Sequence, residues 1–143
     1  MYRIYLDNCC FNRPYDDQVQ QRIIFETQAK LYIQEQVLNK HIELVWSYIL
    51  EFENSRNLSE AIRNAIIKWK NLSILFVDKT DGIIETAKDI MATGIQAADA
   101  LHVSCAIAGG CQYFISVDKR LLKYRDNRIK LCNPIEFFNI ITE

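Results

Sequence analysis

The sequence predicts an α/β protein, a three-layer α/β/α sandwich with a mostly parallel central sheet of about five strands. Short apolar runs rich in β-formers alternate with longer segments of helical periodicity along the 143 residues. No repeat, low-complexity tract or linker interrupts this alternation. Half of the residues are hydrophobic, which is enough for one sizeable core. We therefore expect a single domain over residues 1–143.

The N-terminal part of the chain predicts a strand, a loop and a long amphipathic segment. Turn-forming residues surround Pro14, and from Val19 onwards apolar side chains recur at roughly helical spacing. Asp16 or Asp17 is suited to cap the helix that follows. The predicted elements are a strand over 2–6, a loop over 8–17 and one or two helices over 18–39.

The rest of the chain continues the alternation of strands and helices. Ser47 follows the second strand at the position of a helix N-cap, and Gly109 and Gly110 end a helix of small and apolar residues. Proline at 134 suits the first turn of the last helix. Strands are predicted over 43–46, 74–77, 112–117 and 129–132, and helices over 48–57, from 59, over 81–91, 96–108 and 119–124, and from 133.

Charge and cysteine usage limit the function classes. A formal charge of −1 argues against a strongly basic nucleic-acid-binding module without excluding a local basic rim. The five cysteines are odd in number, form no CxxC and fall at apolar positions, so we expect reduced thiols and a cytoplasmic protein. The N-terminus does not resemble a signal peptide, and no apolar run reaches membrane-spanning length, so no membrane association is expected.

Acidic residues follow the predicted strands at sites where parallel sheets bind ligands. Asp7 follows the first strand directly and Asp118 follows the fourth, while Asp99 lies in the first turn of the helix that leads into the fourth. Glu51 and Glu53 lie in the helix after the second strand. Because ligand sites form beyond the carboxyl ends of parallel strands, these acids are expected to converge at one edge of the sheet.

Converging carboxylates repel one another unless a cation lies between them. Hard oxygen ligands with open positions suit Mg²⁺ or Mn²⁺, which also bind substrate phosphate. Such ions polarise a phosphodiester and activate water for attack on it. The acids therefore suggest metal-dependent phosphodiester hydrolysis.

Four motifs along the chain together resemble the PIN-domain nucleases: LDNCCFNRP, WSYILEFENSR, AADALHVSCAI and SVDKRLL. The resemblance implies an α/β/α sandwich that binds Mg²⁺ or Mn²⁺ through three or four acids and cleaves RNA. It places Asp7, Asp99 and Asp118 at metal-binding, catalytic positions. It also implies a toxin role in a toxin–antitoxin pair, with an inhibitory antitoxin protein as partner, and a homodimer.

The fourth acid is either Glu51 or Glu53. The family's helical acid lies a few residues after a Ser or Thr that ends the second strand, and counting from Ser47 favours Glu53. The two glutamates are about half a helical turn apart and cannot both point inward.

Each acid also has a plain structural interpretation. Asp7 can simply end a strand, Asp99 can be an N-cap, and Asp118 can cap the short helix after it. His102, one turn beyond Asp99, is expected to be packed or hydrogen-bonded rather than a general base. Arg13 can hold a phosphate or form a surface salt bridge.

The leading hypothesis is thus a metal-dependent ribonuclease that uses Asp7, Glu53, Asp99 and Asp118. The alternative is a non-catalytic PIN-like module that binds RNA or a protein. A third hypothesis is a phosphatase acting on small phosphates, but such enzymes use a DxD-type loop and Asp7-Asn8-Cys9 lacks the second aspartate.

Overall fold

The computed structural model describes residues 1–16, 18 and 20–143, and in these residues five parallel strands form one sheet. The strand order is β3-β2-β1-β4-β5, which places β1 at the centre. This arrangement confirms the predicted α/β class. The strands are β1 (Arg3–Leu6), β2 (Glu43–Ser47), β3 (Leu75–Val77), β4 (Tyr113–Ile115) and β5 (Lys130–Cys132).

Helices cover both faces of the sheet. Consecutive residues of a strand point to opposite faces, yet Ile4, Tyr5 and Leu6 are all fully buried. The helices are α1 (Asn8–Asn12), α2 (Gln21–Leu38), α3 (Tyr48–Ser55), α4 (Glu60–Leu72), α5 (Asp81–Met91), α6 (Ala97–Ala108) and α7 (Pro134–Thr142). The Tyr5 ring packs against His102 of α6 on one face, and the Tyr113 ring packs against Phe137 of α7 on the other.

The predicted loop over 8–17 was wrong, because most of it is helical. The Asp7 side chain caps α1, and a single-turn 3₁₀ helix over Arg13–Tyr15 follows with Pro14 in its first turn. Burial of Cys10 and Phe11 stabilises this local helix. Packing of these two side chains therefore overrides the turn-forming composition.

The helix predicted from Gln18 begins three residues later, at Gln21. Gln20 occupies the N-cap position, so Asp16 does not cap this helix and instead ends the 3₁₀ turn. The expectations for Asp17 and Val19 lie outside the described residues. α2 is one continuous helix rather than two.

The remaining elements lie close to their predicted bounds. The helix over 81–91 is found as predicted, and Ser47 caps α3 through a hydrogen bond from the Leu50 amide. The predicted strand over 112–117 is shorter and ends at Ile115, and the helix expected over 119–124 is a single 3₁₀ turn, Leu121–Lys123. All five cysteines are free thiols, and none of the described helices is long and apolar enough to cross a membrane.

Candidate metal centre at the carboxyl edge of the sheet

The four acids singled out from the sequence lie in one cleft of about 490 Å³. Each comes from a different part of the fold: Asp7 follows β1, Glu53 lies in α3, Asp99 lies in the first turn of α6, and Asp118 follows β4. The neighbouring order of β2, β1 and β4 brings their carboxyl ends together. The other lining residues are Asn8, Cys9, Phe52, Arg56 and His102.

Asp7 is held at the centre of this edge by hydrogen bonds to both carboxylate oxygens. Oδ1 accepts from the Asn8 amide at 2.8 Å, and Oδ2 accepts from Ser116 Oγ at 2.9 Å. Ser116 Oγ in turn accepts from the Asp118 amide at 3.1 Å. The buried Ser116 hydroxyl therefore links two of the acids and sets their relative position.

The structure separates the two candidate glutamates of α3. Glu53 Oε1 faces the cleft and lies 2.6 Å from His102 Nε2. Glu51 points away and forms an ion pair with Lys70 of α4. Glu53 is therefore the acid that α3 contributes to this cleft, as the count from Ser47 favoured.

His102 lies at the centre of a buried hydrogen-bonded chain. Its Nδ1 lies 2.6 Å from the Tyr5 hydroxyl, which lies 2.6 Å from Ser47 Oγ. Burial alone lowers the pKa of His102, but the hydrogen bond to Glu53 and the nearby charge of Asp7 outweigh burial and raise it above its ordinary value. The expectation of a packed, hydrogen-bonded histidine is confirmed.

His102 was not among the residues predicted to hold the ion, although its Nε2 lies near two of them. One donor atom each from Asp7, Glu53 and His102 lies within 4.8 Å of the others. The spacing of His102 three residues after Asp99 is the sequence signal that puts both on one face of α6.

Asp99 shows the electrostatic cost of gathering these acids. Burial and the nearby charges of Asp7 and Asp118 raise its pKa to about 6. In the described part of the chain, no lysine or arginine forms an ion pair with any of the four carboxylates. The cleft therefore carries excess negative charge that a cation would neutralise.

Asp118 is exposed and also caps the turn that follows it. Its Oδ1 accepts from the amides of Arg120 and Leu121 at 2.9 and 3.3 Å. Among the described residues, none donates a hydrogen bond to Oδ2. The capping interpretation is thus correct for one oxygen, and the other remains available to a ligand.

Arg13 does not line the cleft. Its guanidinium pairs with Asp16 at 3.0 Å and with the buried Glu26 at 3.1 Å. The arginine that lines the cleft is Arg56, which lies over the Phe52 ring. Arg13 therefore forms a salt bridge, as one of the two interpretations expected, but this salt bridge is largely buried rather than on the surface.

Comparison with known proteins gives a family and two similar folds. The family model described as "PIN domain" matches residues 4–127. VapBC2 from Rickettsia felis, solved bound to a DNA fragment from its promoter, includes a chain 16% identical with a TM-score of 0.56, over 92% of this chain and 98% of that one. A chain of DNA-bound VapBC from Salmonella typhimurium is 14% identical with a TM-score of 0.58. The match covers 94% of this chain and 99% of the Salmonella chain. No curated protein sequence shows significant similarity.

Proposed function

Because the chain belongs to the PIN domain family, we propose that it is a metal-dependent ribonuclease that hydrolyses RNA phosphodiesters. The observation that carries the proposal is the convergence of Asp7, Glu53, Asp99 and Asp118 in one cleft without a paired lysine or arginine among the described residues. Such an arrangement is unfavourable by itself and becomes favourable when a cation binds.

The donor set fits Mg²⁺ or Mn²⁺. Carboxylate oxygens, the hard ligands that both ions prefer, come from four residues, while the nearby imidazole nitrogen of His102 is engaged by Glu53. A bound ion of this kind supplies Lewis acidity toward a phosphodiester and lowers the pKa of water. Burial raises the pKa of Asp99, and the nearby charges of Asp7 and Asp118 raise it further, which supports a site that a bound cation would stabilise.

The residues around the acids orient them for this role. Ser116 and the Asn8 amide hold both oxygens of Asp7, and His102 holds Glu53. The Tyr5 hydroxyl fixes His102 in turn, so the imidazole cannot rotate away from Glu53. Fixed hydrogen-bond partners of this kind set the orientation of ligand side chains.

The similar folds support a toxin role with a protein partner. Both similar structures are VapBC assemblies bound to DNA. We propose by analogy that this chain is the toxin of a toxin–antitoxin pair, that an antitoxin protein inhibits it, and that it forms a homodimer. Light scattering of the purified chain, alone and after co-expression with a candidate antitoxin, tests both points: a monomer that forms no complex would contradict them.

RNA cleavage tests the nuclease directly. Wild type should cleave RNA in Mn²⁺, whereas Asp99→Asn and Asp118→Asn should keep the fold and lose cleavage. Asp89→Asn, which removes an exposed acid on α5, is the matched control and should cleave as wild type does. Cleavage by both site variants at the wild-type rate would exclude this assignment.

A thermal melt separates the enzyme from the non-catalytic alternative. Mn²⁺ should raise the melting temperature of wild type, because a ligand that binds only the folded state stabilises it. The rise should vanish in Asp99→Asn, and without metal this variant should be at least as stable as wild type, since one repelling charge is gone. If millimolar Mn²⁺ shifts neither protein, the non-catalytic binding module becomes the better interpretation.

A further inference from the structure

The chain concentrates positive charge in residues 119–130, called here the basic segment. It contains six of the 17 lysines and arginines and one of the 18 acids. Its net charge is therefore +5, whereas the rest of the chain carries −6. The six cations, all exposed, are Lys119, Arg120, Lys123, Arg125, Arg128 and Lys130.

The one acid of the basic segment neutralises only one of its six cations. The Asp126 side chain is almost completely buried and accepts hydrogen bonds from the Tyr124 hydroxyl and from the backbone amide and two guanidinium nitrogens of Arg128. The Arg128 side chain nevertheless remains about half exposed. Among the described residues, the other five cations form no ion pair, so their charge faces solvent.

The basic segment has a defined structure. Leu121 and Ile129 are buried and anchor it to the core, and a bridge between Asp126 and Ile129 closes its turn. The cations are consequently presented on an ordered backbone, which lowers the entropy cost of binding a ligand.

The basic segment leads away from the candidate metal centre. It begins beside Asp118 in the cleft and ends at Lys130, which pairs in register with Tyr113 at the opposite end of β4. Asp118 is five residues beyond Tyr113, so these two residues are at most roughly 17 Å apart. Near its far end, Arg125, Arg128 and Lys130 line a second, open cleft of about 1070 Å³.

We propose that the basic segment binds the phosphodiester backbone of the RNA substrate and guides it into the cleft. This inference rests on the proposed function. An RNA strand is repelled by the four carboxylates, so its approach requires positive charge nearby, and the basic segment is the densest such charge in the described chain. The basic segment starts next to Asp118, one of the proposed catalytic acids, and a continuous polyanion can bind along it and reach the cleft. An acidic protein partner could bind the same cations without reaching the cleft, so the starting point favours RNA.

The test is RNA affinity in the Asp99→Asn background, which keeps the RNA intact. The variant Lys123→Gln/Arg125→Gln/Lys130→Gln removes three cations but leaves the Arg128–Asp126 pair in place. The control Lys40→Gln/Lys68→Gln/Lys88→Gln makes the same charge change on other exposed positions. Fluorescence anisotropy with an unstructured RNA oligonucleotide is measured across salt concentrations.

The segment variant should bind at least about tenfold more weakly at low salt, with the slope of log Kd against log salt reduced by about two. The control should stay within about twofold of the parent. Affinities of the two variants within twofold of each other, or no RNA binding by the parent, would overturn the proposal. Equal competition by poly-glutamate of the same charge would also overturn it, in favour of a general site for acidic partners.

Cleavage by the otherwise wild-type protein distinguishes this inference from the proposed function. If the protein cleaves RNA but the segment variant binds it normally, the nuclease assignment stands and the role of the basic segment fails. If the protein does not cleave RNA but binding depends on the basic segment, the RNA-binding role stands and the nuclease assignment fails.

Discussion

Glu53 Oε1 lies 2.6 Å from His102 Nε2, although the two residues are 49 positions apart and belong to different helices. The contact ties α3 to α6 at the cleft. Glu51, two positions earlier, points instead to Lys70 on α4. One short helix thus supplies one carboxylate to the candidate site and another to a surface ion pair.

Glu53→Gln should abolish the rise in melting temperature caused by Mn²⁺ and lower RNA cleavage by at least about 100-fold, because it removes a proposed metal ligand. Glu51→Gln is the matched control. It breaks only a partly exposed ion pair, worth at most about 1 kcal/mol, and should leave cleavage within twofold of wild type. Equal losses in both variants would contradict the choice of Glu53.

Ser116→Ala should weaken Mn²⁺ binding by about 10- to 100-fold, because the hydroxyl positions Asp7 and the Asp118 amide. Ser104→Ala is the control, since Ser104 is equally buried but donates to the Ile83 carbonyl away from the cleft. Both variants should lose about 1 kcal/mol of stability. Titration of the melting temperature with Mn²⁺ should separate them, and identical titrations would show that Ser116 is only structural.

Tyr5→Phe should destabilise the fold by about 1–3 kcal/mol, because His102 Nδ1 and Ser47 Oγ lose a buried partner. The ring should still stack on Phe114. Tyr32→Phe, whose ring packs against Phe138, should change stability by less than about 0.5 kcal/mol. Urea unfolding measures both, and a neutral Tyr5→Phe would show that the chain of hydrogen bonds is dispensable.

Lys30→Met should stabilise the protein by about 1–3 kcal/mol at pH 7, because burial lowers the pKa of Lys30 to about 8 and its ammonium has no ion-pair partner among the described residues. Between pH 8 and 10.5 the native state releases this proton while the unfolded state keeps it, so wild type becomes more stable as pH rises. The advantage of Lys30→Met should therefore shrink over that range. Urea unfolding from pH 7 to 10 measures the free energy of unfolding of both proteins. Because both proteins contain the same cysteines, the titration of the thiols cancels in the difference between them. A constant difference would contradict the lowered pKa.

The sequence alone determined the alternation of strands and helices and the position of the three aspartates relative to them. These features depend on local periodicity and on the rule that parallel strands present their carboxyl ends at one edge. Helix α5 and the Ser47 cap were predictable for the same reason. The metal-binding role of the acids remains a prediction that the experiments above address.

The tertiary structure decided which way individual side chains point. The sequence favoured Glu53 over Glu51 only by the count from Ser47, and the packing of α3 against α4 and α6 decided which of the two faces the cleft. Burial of Phe11 turned a predicted loop into helix α1. Contacts between residues far apart in the chain determine these outcomes, and such contacts leave no periodic signal in the local sequence.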